Sequence, residues 1–360
     1  MRTISKVHSA AQRREMRLEG ERRARRSMIR LVAVSSILRT ALTQILPLAG
    51  SAGWWVIPAC LLPGLAVYAL LNWAMKRTNM VVLADCLRAL MGRAGGVIVS
   101  AVLAVLLLVD GAASMTALIT FFTEGIGTEG TQITLSLLTA GVLLCCLNRE
   151  GLPRGIYLLR WVMLPAAAIM AADGLLKARL DHIFPLLGEG SDTLWTVLRA
   201  GASLGWPLTL LLTAEPVKEG RRLRDALPMV ALCAAVAAVI CLSLPHEQLI
   251  SRHDLSGSLL EITLHLQPAV RTLGQCLVML VLFLSVGASS HLVTDAVAAP
   301  LGRAPRWLPY GVLILLALSQ CLEVRALWRW LCVVQMWLLV PLAVIAVAAA
   351  GLALIRRRKA

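Results

Sequence analysis

The chain alternates long apolar segments with short polar connections from Leu31 to Ile355. A helix needs about 20 apolar residues to cross the hydrocarbon core of a bilayer. The pattern predicts ten such spans, which are Leu31–Gly50, Trp54–Ala74, Val97–Phe122, Thr131–Leu147, Ile156–Leu176, Thr193–Leu212, Ala226–Leu244, Val270–Val297, Trp307–Leu322 and Leu331–Ile355. It therefore indicates an all-α polytopic membrane protein.

The composition agrees with this class. Hydrophobic residues make up 58% of the chain and the mean hydropathy is +0.77, whereas ordinary soluble domains are roughly 45–50% apolar. Eight of the nine cysteines lie in apolar spans, with Cys86 the exception, and none forms a Cys-x-x-Cys pair. We expect no disulfide framework, metal site or cofactor.

Charge sorts the connections into two classes. With both termini inside, 27 of the 35 Lys and Arg residues lie on the cytoplasmic side, as the positive-inside rule requires. The net charge of +15 is therefore attributed to the anionic membrane surface rather than to nucleic acid. The expected organisation is a basic cytoplasmic tail (1–30), a permease domain (31–355) and a second basic tail (356–360). We expect the first tail to lie on the inner membrane surface as an amphipathic helix.

Polar and helix-breaking residues at membrane depth point to function, because they cost free energy unless they are satisfied internally. The first predicted span carries a polar stripe before Pro47, and the sixth carries small residues before Pro207. Broken helices at matching positions of two halves are typical of midplane substrate sites in inverted-repeat transporters. The candidate ligand-binding residues there are Thr40, Thr43, Gln44, Gly201, Ser203 and Gly205. The alternative is a proline kink with small residues for close helix packing.

One further candidate is Asp110, in the middle of the third predicted span. A carboxylate there must pair with a cation or take up a proton. Arg199 is its most economical partner, although Arg199 could also extend to the outer face. Either a functional role or a structural ion pair fits Asp110. Ser285, Ser289 and Ser290 could supply oxygens to a cation, with helix packing as the favoured alternative.

Several stretches, in the same order, resemble the spore-germination permease family (GerAB type) of the amino acid/polyamine/organocation (APC) transporter superfamily. They are Ile45 to Trp55 at the first-helix exit, Glu150 to Pro165 at the fifth-helix entry, Phe184 to Gly190 before the sixth helix, and Glu215 to Lys218 after it. The resemblance covers nearly the whole chain from about Leu31 to Ile355. The chain departs from the family at Arg39, where an uncharged residue is expected, and in its basic extension.

The resemblance implies a five-plus-five inverted repeat (LeuT/APC-like) with a small nutrient ligand such as an amino acid between the first and sixth helices. It also implies assembly with an A-type membrane subunit and a C-type lipoprotein in a receptor of the inner spore membrane.

Three function classes remain open. A ligand-sensing receptor subunit is favoured over a proton- or sodium-coupled amino acid transporter of the same superfamily. A membrane-embedded enzyme is least favoured, because no nucleophile elbow, phosphate loop or equivalent catalytic spacing is present.

Overall fold

The computed structural model describes residues 2–80, 82–125, 132–146, 151–188, 190–213, 222–250, 263, 266–301, 305, 307–320, 330–331, 333–335 and 337–359. Within these residues 91% are helical and none lies in a strand. Continuous apolar sequence and the absence of water in a bilayer core both favour helices, because a helix satisfies its own backbone hydrogen bonds.

Residues 330–331, 333–335 and 337 are helical, and the structure gives bounds for twelve further α-helices within the described ranges. In chain order they are α1 (Arg2–Thr40), α2 (Leu46–Ala49), α3 (Gly53–Arg77), α4 (Leu83–Gly125), α5 (Gln132–Cys146), α6 (Gly151–Leu176), α7 (Ser191–Gly201), α8 (Arg222–Ser243), α9 (His246–Ile250), α10 (Pro268–Leu301), α11 (Leu308–Ser319) and α12 (Leu339–Lys359). Gly92 has a φ angle of +77°, so α4 bends there.

Six helical stretches are long and apolar enough to cross a membrane. They are Glu15–Arg77, Leu83–Thr123, Gly151–Leu176, Arg224–Ser243, Pro268–Ala298 and Val333–Ile355, and two shorter apolar helices cover Thr134–Leu143 and Leu308–Ser319. The chain is therefore an all-α, multi-pass membrane protein. The first stretch contains two of the predicted spans, and the predicted sixth span is divided between α7 and a 3₁₀ segment, Trp206–Thr213. The count of ten spans stays a prediction.

The helices pair in a regular way. α1 contacts the 3₁₀ segment that follows α7, α3 packs on α8, α4 packs along α10, and α5 packs on α11. Each of the first four apolar segments therefore contacts the segment that comes five places later in the chain.

The outside of this helical assembly is strongly apolar. On α6, Leu158, Trp161, Val162 and Leu164 are all more than half exposed. An apolar surface of this extent is unfavourable in water and suits contact with lipid tails. The exposed face of α6 therefore agrees with a transmembrane position.

The basic N-terminal segment differs from the amphipathic surface helix that the sequence predicted. It does not form a separate surface helix, because residues 2–30 continue directly into the apolar part of α1. Met28 and Ile29 are fully buried in the helical core. Three ion pairs among the described residues also tie this segment to the body: Arg25 lies 3.0 Å from Asp295, Arg30 lies 2.7 Å from Asp225, and Glu21 lies 3.9 Å from Arg154.

Candidate functional site

The first helix is interrupted at the end of its polar stripe. A π-helical turn covers Ala41–Ile45 and leads into Pro47 in the short helix α2. Proline lacks an N–H group and its ring clashes with the carbonyl four residues earlier, which weakens the α-helix there, and at Pro47 the weakening coincides with the π turn. Thr43 Oγ1 instead donates to the Arg39 carbonyl oxygen at 2.7 Å. The chain then turns at Gly50, whose φ of +55° favours glycine.

The second interruption follows α7. After α7 the backbone hydrogen bonds run to the residue three places earlier, such as Leu204 N to Gly201 O at 2.8 Å and Trp206 N to Ser203 O at 3.0 Å. Pro207 cannot donate, and the chain continues as a 3₁₀ helix to Thr213. The sequence prediction of a break at this place is confirmed.

The two interruptions lie close together. The 3₁₀ segment Trp206–Thr213 contacts α1, and α7 contacts both the π turn and α2. Ser203 in the second interruption accepts a hydrogen bond from the backbone N–H of Leu339, at 3.2 Å, where α12 begins. Three parts of the chain therefore converge at the broken helices.

A buried ion pair lies beside the first interruption. Arg39 Nη2 donates to Asp110 Oδ1 at 2.6 Å, and the two side chains are 1% and 0% exposed. Both residues fall near the middle of predicted spans. Burying two charges in a low-dielectric region costs several kcal/mol per ion unless each charge is well paired and hydrogen-bonded. A pair at this depth therefore has to be held by its neighbours.

Gln335 and Gln44 are those neighbours. Only with its amide oxygen facing Arg39 does Gln335 accept hydrogen bonds from both terminal nitrogens of the guanidinium, each at 3.0 Å. In this orientation the Gln335 amide nitrogen lies 2.5 Å from the Gln44 amide, so the two amides form a hydrogen bond when the Gln44 oxygen faces Gln335. The guanidinium is thus held between Asp110 on α4 and an amide pair that joins the π turn to residues 333–335.

Several buried polar atoms in this part of the molecule have no hydrogen-bond partner among the described residues. They are Arg39 Nε, Asp110 Oδ2 and the hydroxyls of Ser36, Ser114, Ser285 and Ser289. Ser36 interacts with the Asp110 carboxylate, although the pair lacks the geometry of a hydrogen bond. Buried polar groups without partners are rare in folded proteins, and each one requires an explanation.

The structure brings some of the predicted site residues together. Thr43, Gln44 and Asp110 lie at or next to the ion pair, and half-buried Thr40 directly follows Arg39. Ser203 lies at the second interruption and is 4% exposed.

Gly201 and Gly205 occupy close-packing positions. A Cβ on Gly201 would collide with Cys60 Sγ and lie 3.1 Å from Ile45 Cδ1. A Cβ on Gly205 would lie 2.7 Å from Gly64 Cα. For these two residues the packing explanation describes their surroundings better than a ligand-lining role.

The prediction that Arg199 pairs with Asp110 was wrong. Arg199 is exposed, and the Asp110 carboxylate pairs with Arg39 instead. The sequence prediction placed Arg39 in the polar stripe of the first span and as a departure from a family pattern, but it neither paired Arg39 with Asp110 nor singled out Gln335. The available signal for Gln335 was the same as for Asp110, namely one polar residue in an apolar run, whereas Arg39 is the charged residue of a polar stripe.

This arrangement holds a paired cation and anion away from water beside the first broken helix. Across the part of the chain that the structure describes, no group of three His, Cys, Asp or Glu side chains is placed to hold a metal ion. A scan against protein-family models and a search of curated proteins found no match to this chain.

Proposed function

We propose that this protein is the membrane subunit of a spore germinant receptor, which binds a small nutrient ligand of the amino-acid type between its first and sixth apolar segments. The observation that carries the ligand site is the meeting of two broken helices beside a buried ion pair. A broken helix leaves backbone N–H and C=O groups free, and its ends carry opposite partial charges. A ligand with a carboxylate and an ammonium group can use both.

The packing of the helices supports the inverted-repeat fold. In a five-plus-five arrangement the corresponding segments of the two halves lie side by side around the site. The contacts of α1 with the 3₁₀ segment, α3 with α8, α4 with α10 and α5 with α11 support this arrangement.

The choice of a receptor over other members of this fold rests on the resemblance to germination permeases. It assigns the chain two partners, an A-type membrane subunit and a C-type lipoprotein, and a location in the inner spore membrane. In this role, ligand binding shifts the equilibrium between two conformations of this chain, and the partners detect the shift. For this the ligand needs only to bind one conformation more tightly than the other.

A secondary amino acid transporter is the alternative, and one observation favours it. Asp110 is a fully buried carboxylate with one oxygen unpaired among the described residues. Intramembrane carboxylates of this kind are typical of proton relays in transporters.

Reconstitution separates the two functions. The purified chain alone, in liposomes, is tested for binding of single amino acids by thermal shift and for uptake under a proton or a sodium gradient. The receptor function predicts binding without concentrative uptake, and a signal only when both partners are present. Gradient-driven accumulation by the isolated chain would establish the transporter, and binding of no amino acid would contradict both.

A further inference from the structure

We infer that the Arg39–Asp110 ion pair is the element that recognises the charged ends of a zwitterionic α-amino acid, whose carboxylate binds at Arg39 and whose ammonium binds at Asp110. This inference rests on the proposed function, since it identifies the chemistry of the same site. It uses a residue, Arg39, that the resemblance to the permease family does not supply.

The unmet hydrogen bonds define what the ligand must offer. Asp110 Oδ1 accepts from Arg39, but Oδ2 has no donor within the described part of the chain. Arg39 uses its terminal nitrogens for Asp110 and Gln335, whereas Nε–H has no acceptor there. The site therefore lacks one donor next to the carboxylate and one acceptor next to the guanidinium. An ammonium and a carboxylate on one carbon atom supply this combination.

Serine hydroxyls from three helices surround the same region. Ser36 on α1 interacts with Asp110, Ser114 lies one turn after Asp110 on α4, and Ser289 on α10 approaches Gly111. A Cβ on Gly111 would lie 3.3 Å from Ser289 Cβ, so α4 and α10 are close at this level. Because a hydroxyl both donates and accepts, these serines fit either end of a zwitterion.

Charge balance makes the zwitterion the best ligand. The ion pair has no net charge, and a zwitterion adds none. A ligand with only an amine would bind Asp110 and leave Arg39 without an anionic partner. A ligand with only a carboxylate would bind Arg39 and leave Asp110 without a cationic partner. An unpaired buried charge is strongly unfavourable. The site therefore selects against ligands that carry only one of the two groups.

Gln335 keeps the guanidinium in place during this exchange. Its amide oxygen accepts from both terminal nitrogens of Arg39, each at 3.0 Å, and its amide nitrogen lies beside the Gln44 amide. Arg39 can thus remain oriented when Asp110 shares its partner with a ligand. Gln335 is in this respect a positioning residue.

The first test uses the wild-type protein in lipid nanodiscs. Glycine, alanine, valine, phenylalanine, glutamate and lysine are titrated singly, and the best binder is compared with its decarboxylated amine and its N-acetyl derivative. Losing one charge-assisted contact is expected to weaken binding by about 10- to 100-fold. Equal binding of either derivative would overturn the inference.

The second test removes the charges from the protein. R39Q/D110N deletes both charges together, so no unpaired ion remains, and we expect amino acid binding to fall by at least about 10-fold in a folded protein. T116V/Q320L is the matched control, because Thr116 donates to Gln320 at 3.1 Å in another buried polar pair that also involves α4. The control is expected to bind like the wild type.

A charge exchange, R39D/D110R, separates recognition from a purely structural ion pair. It restores opposite charges but reverses their positions relative to Gln335 and the serines, so binding is expected to stay lost even where thermal stability recovers. If the wild type binds and either variant binds equally well, the ion pair is structural only and the inference fails while the proposed function stands. If the wild type binds no amino acid, the proposed function itself fails.

Discussion

Gly64 of α3 and Gly205 of the second interruption meet backbone to backbone. A Cβ on Gly205 would lie 2.7 Å from Gly64 Cα and 2.9 Å from the Leu61 carbonyl oxygen. Neither backbone can move away easily, because both belong to packed elements of the core. This contact joins the broken sixth segment to the second.

The first prediction follows from that contact. G64A and G205A are each expected to lower the unfolding temperature and the yield of folded protein, because overpacking costs about 1–3 kcal/mol and sometimes more. G155A is the control, since a Cβ at this helical glycine of α6 meets no atom within 4 Å, and alanine favours a helix by up to about 1 kcal/mol over glycine. Normal stability of G205A would contradict the close packing.

The second prediction concerns the strength of the central ion pair. Removing one partner, in R39Q or in D110N, is expected to destabilise the protein by about 3–5 kcal/mol, because the other charge stays buried without its partner. Removing both in R39Q/D110N is expected to cost less than either single change. A thermal double-mutant cycle in detergent measures this coupling. Additive effects would show that the two side chains do not interact.

The third prediction addresses the ion pairs at the N-terminal end of α1. The Arg30 and Asp225 side chains are 42% and 28% exposed, so D225N is expected to cost no more than about 1 kcal/mol. The effect should be local and should decrease in high salt, because salt screens partly exposed charges. Hydrogen exchange of residues 15–30 measures it.

E19Q provides a comparison for that experiment. Glu19 pairs with Arg23 at 3.1 Å within α1 itself, so its loss leaves the attachment to α8 intact. Exchange that increases equally in E19Q and D225N would argue that the Arg30–Asp225 pair does not fasten α1 to the body.

The fourth prediction concerns membrane topology. The charge distribution requires the loop around Asn79 to be cytoplasmic and the segment around Gln248 to face the other side. Single cysteines at these two exposed positions, in a cysteine-free background, should therefore be labelled from opposite sides by an impermeant maleimide. Positions 127 and 221, which the sequence also assigns to opposite sides, lie outside the described residues. Labelling of N79C and Q248C from the same side would contradict the topology.

The sequence predicted the helical class and both interruptions because each depends on local chemistry. Apolar runs of sufficient length form helices in a bilayer, and Pro47 and Pro207, which weaken a helix, stand in the two polar or small-residue stretches where the helices break. The continuation of residues 2–30 into α1 was missed, because the body that buries Met28 and Ile29 is made of segments far away in the sequence.

The contacts between the site residues also join positions that are far apart in the sequence. Arg39 and Asp110 are 71 positions apart, and Gln44 and Gln335 are 291 positions apart. The sequence pattern identifies each of these four side chains as polar within an apolar span. Which of them come into contact depends on how the packed helices are rotated and how far they are shifted along their axes. The same reason explains Gly205, whose neighbour Gly64 could not be identified from local pattern.

The most direct measurement of the central claim is ligand protection of a cysteine beside the ion pair. Thr40 follows Arg39 and is half-buried, so T40C is placed in a cysteine-free background, reconstituted in nanodiscs and treated with a small methanethiosulfonate reagent. N79C serves as the control outside the site. We expect the amino acid that binds best to the wild type to slow modification of T40C and to leave modification of N79C unchanged. Unchanged modification of T40C at a saturating concentration of that amino acid would contradict a ligand site at the first broken helix.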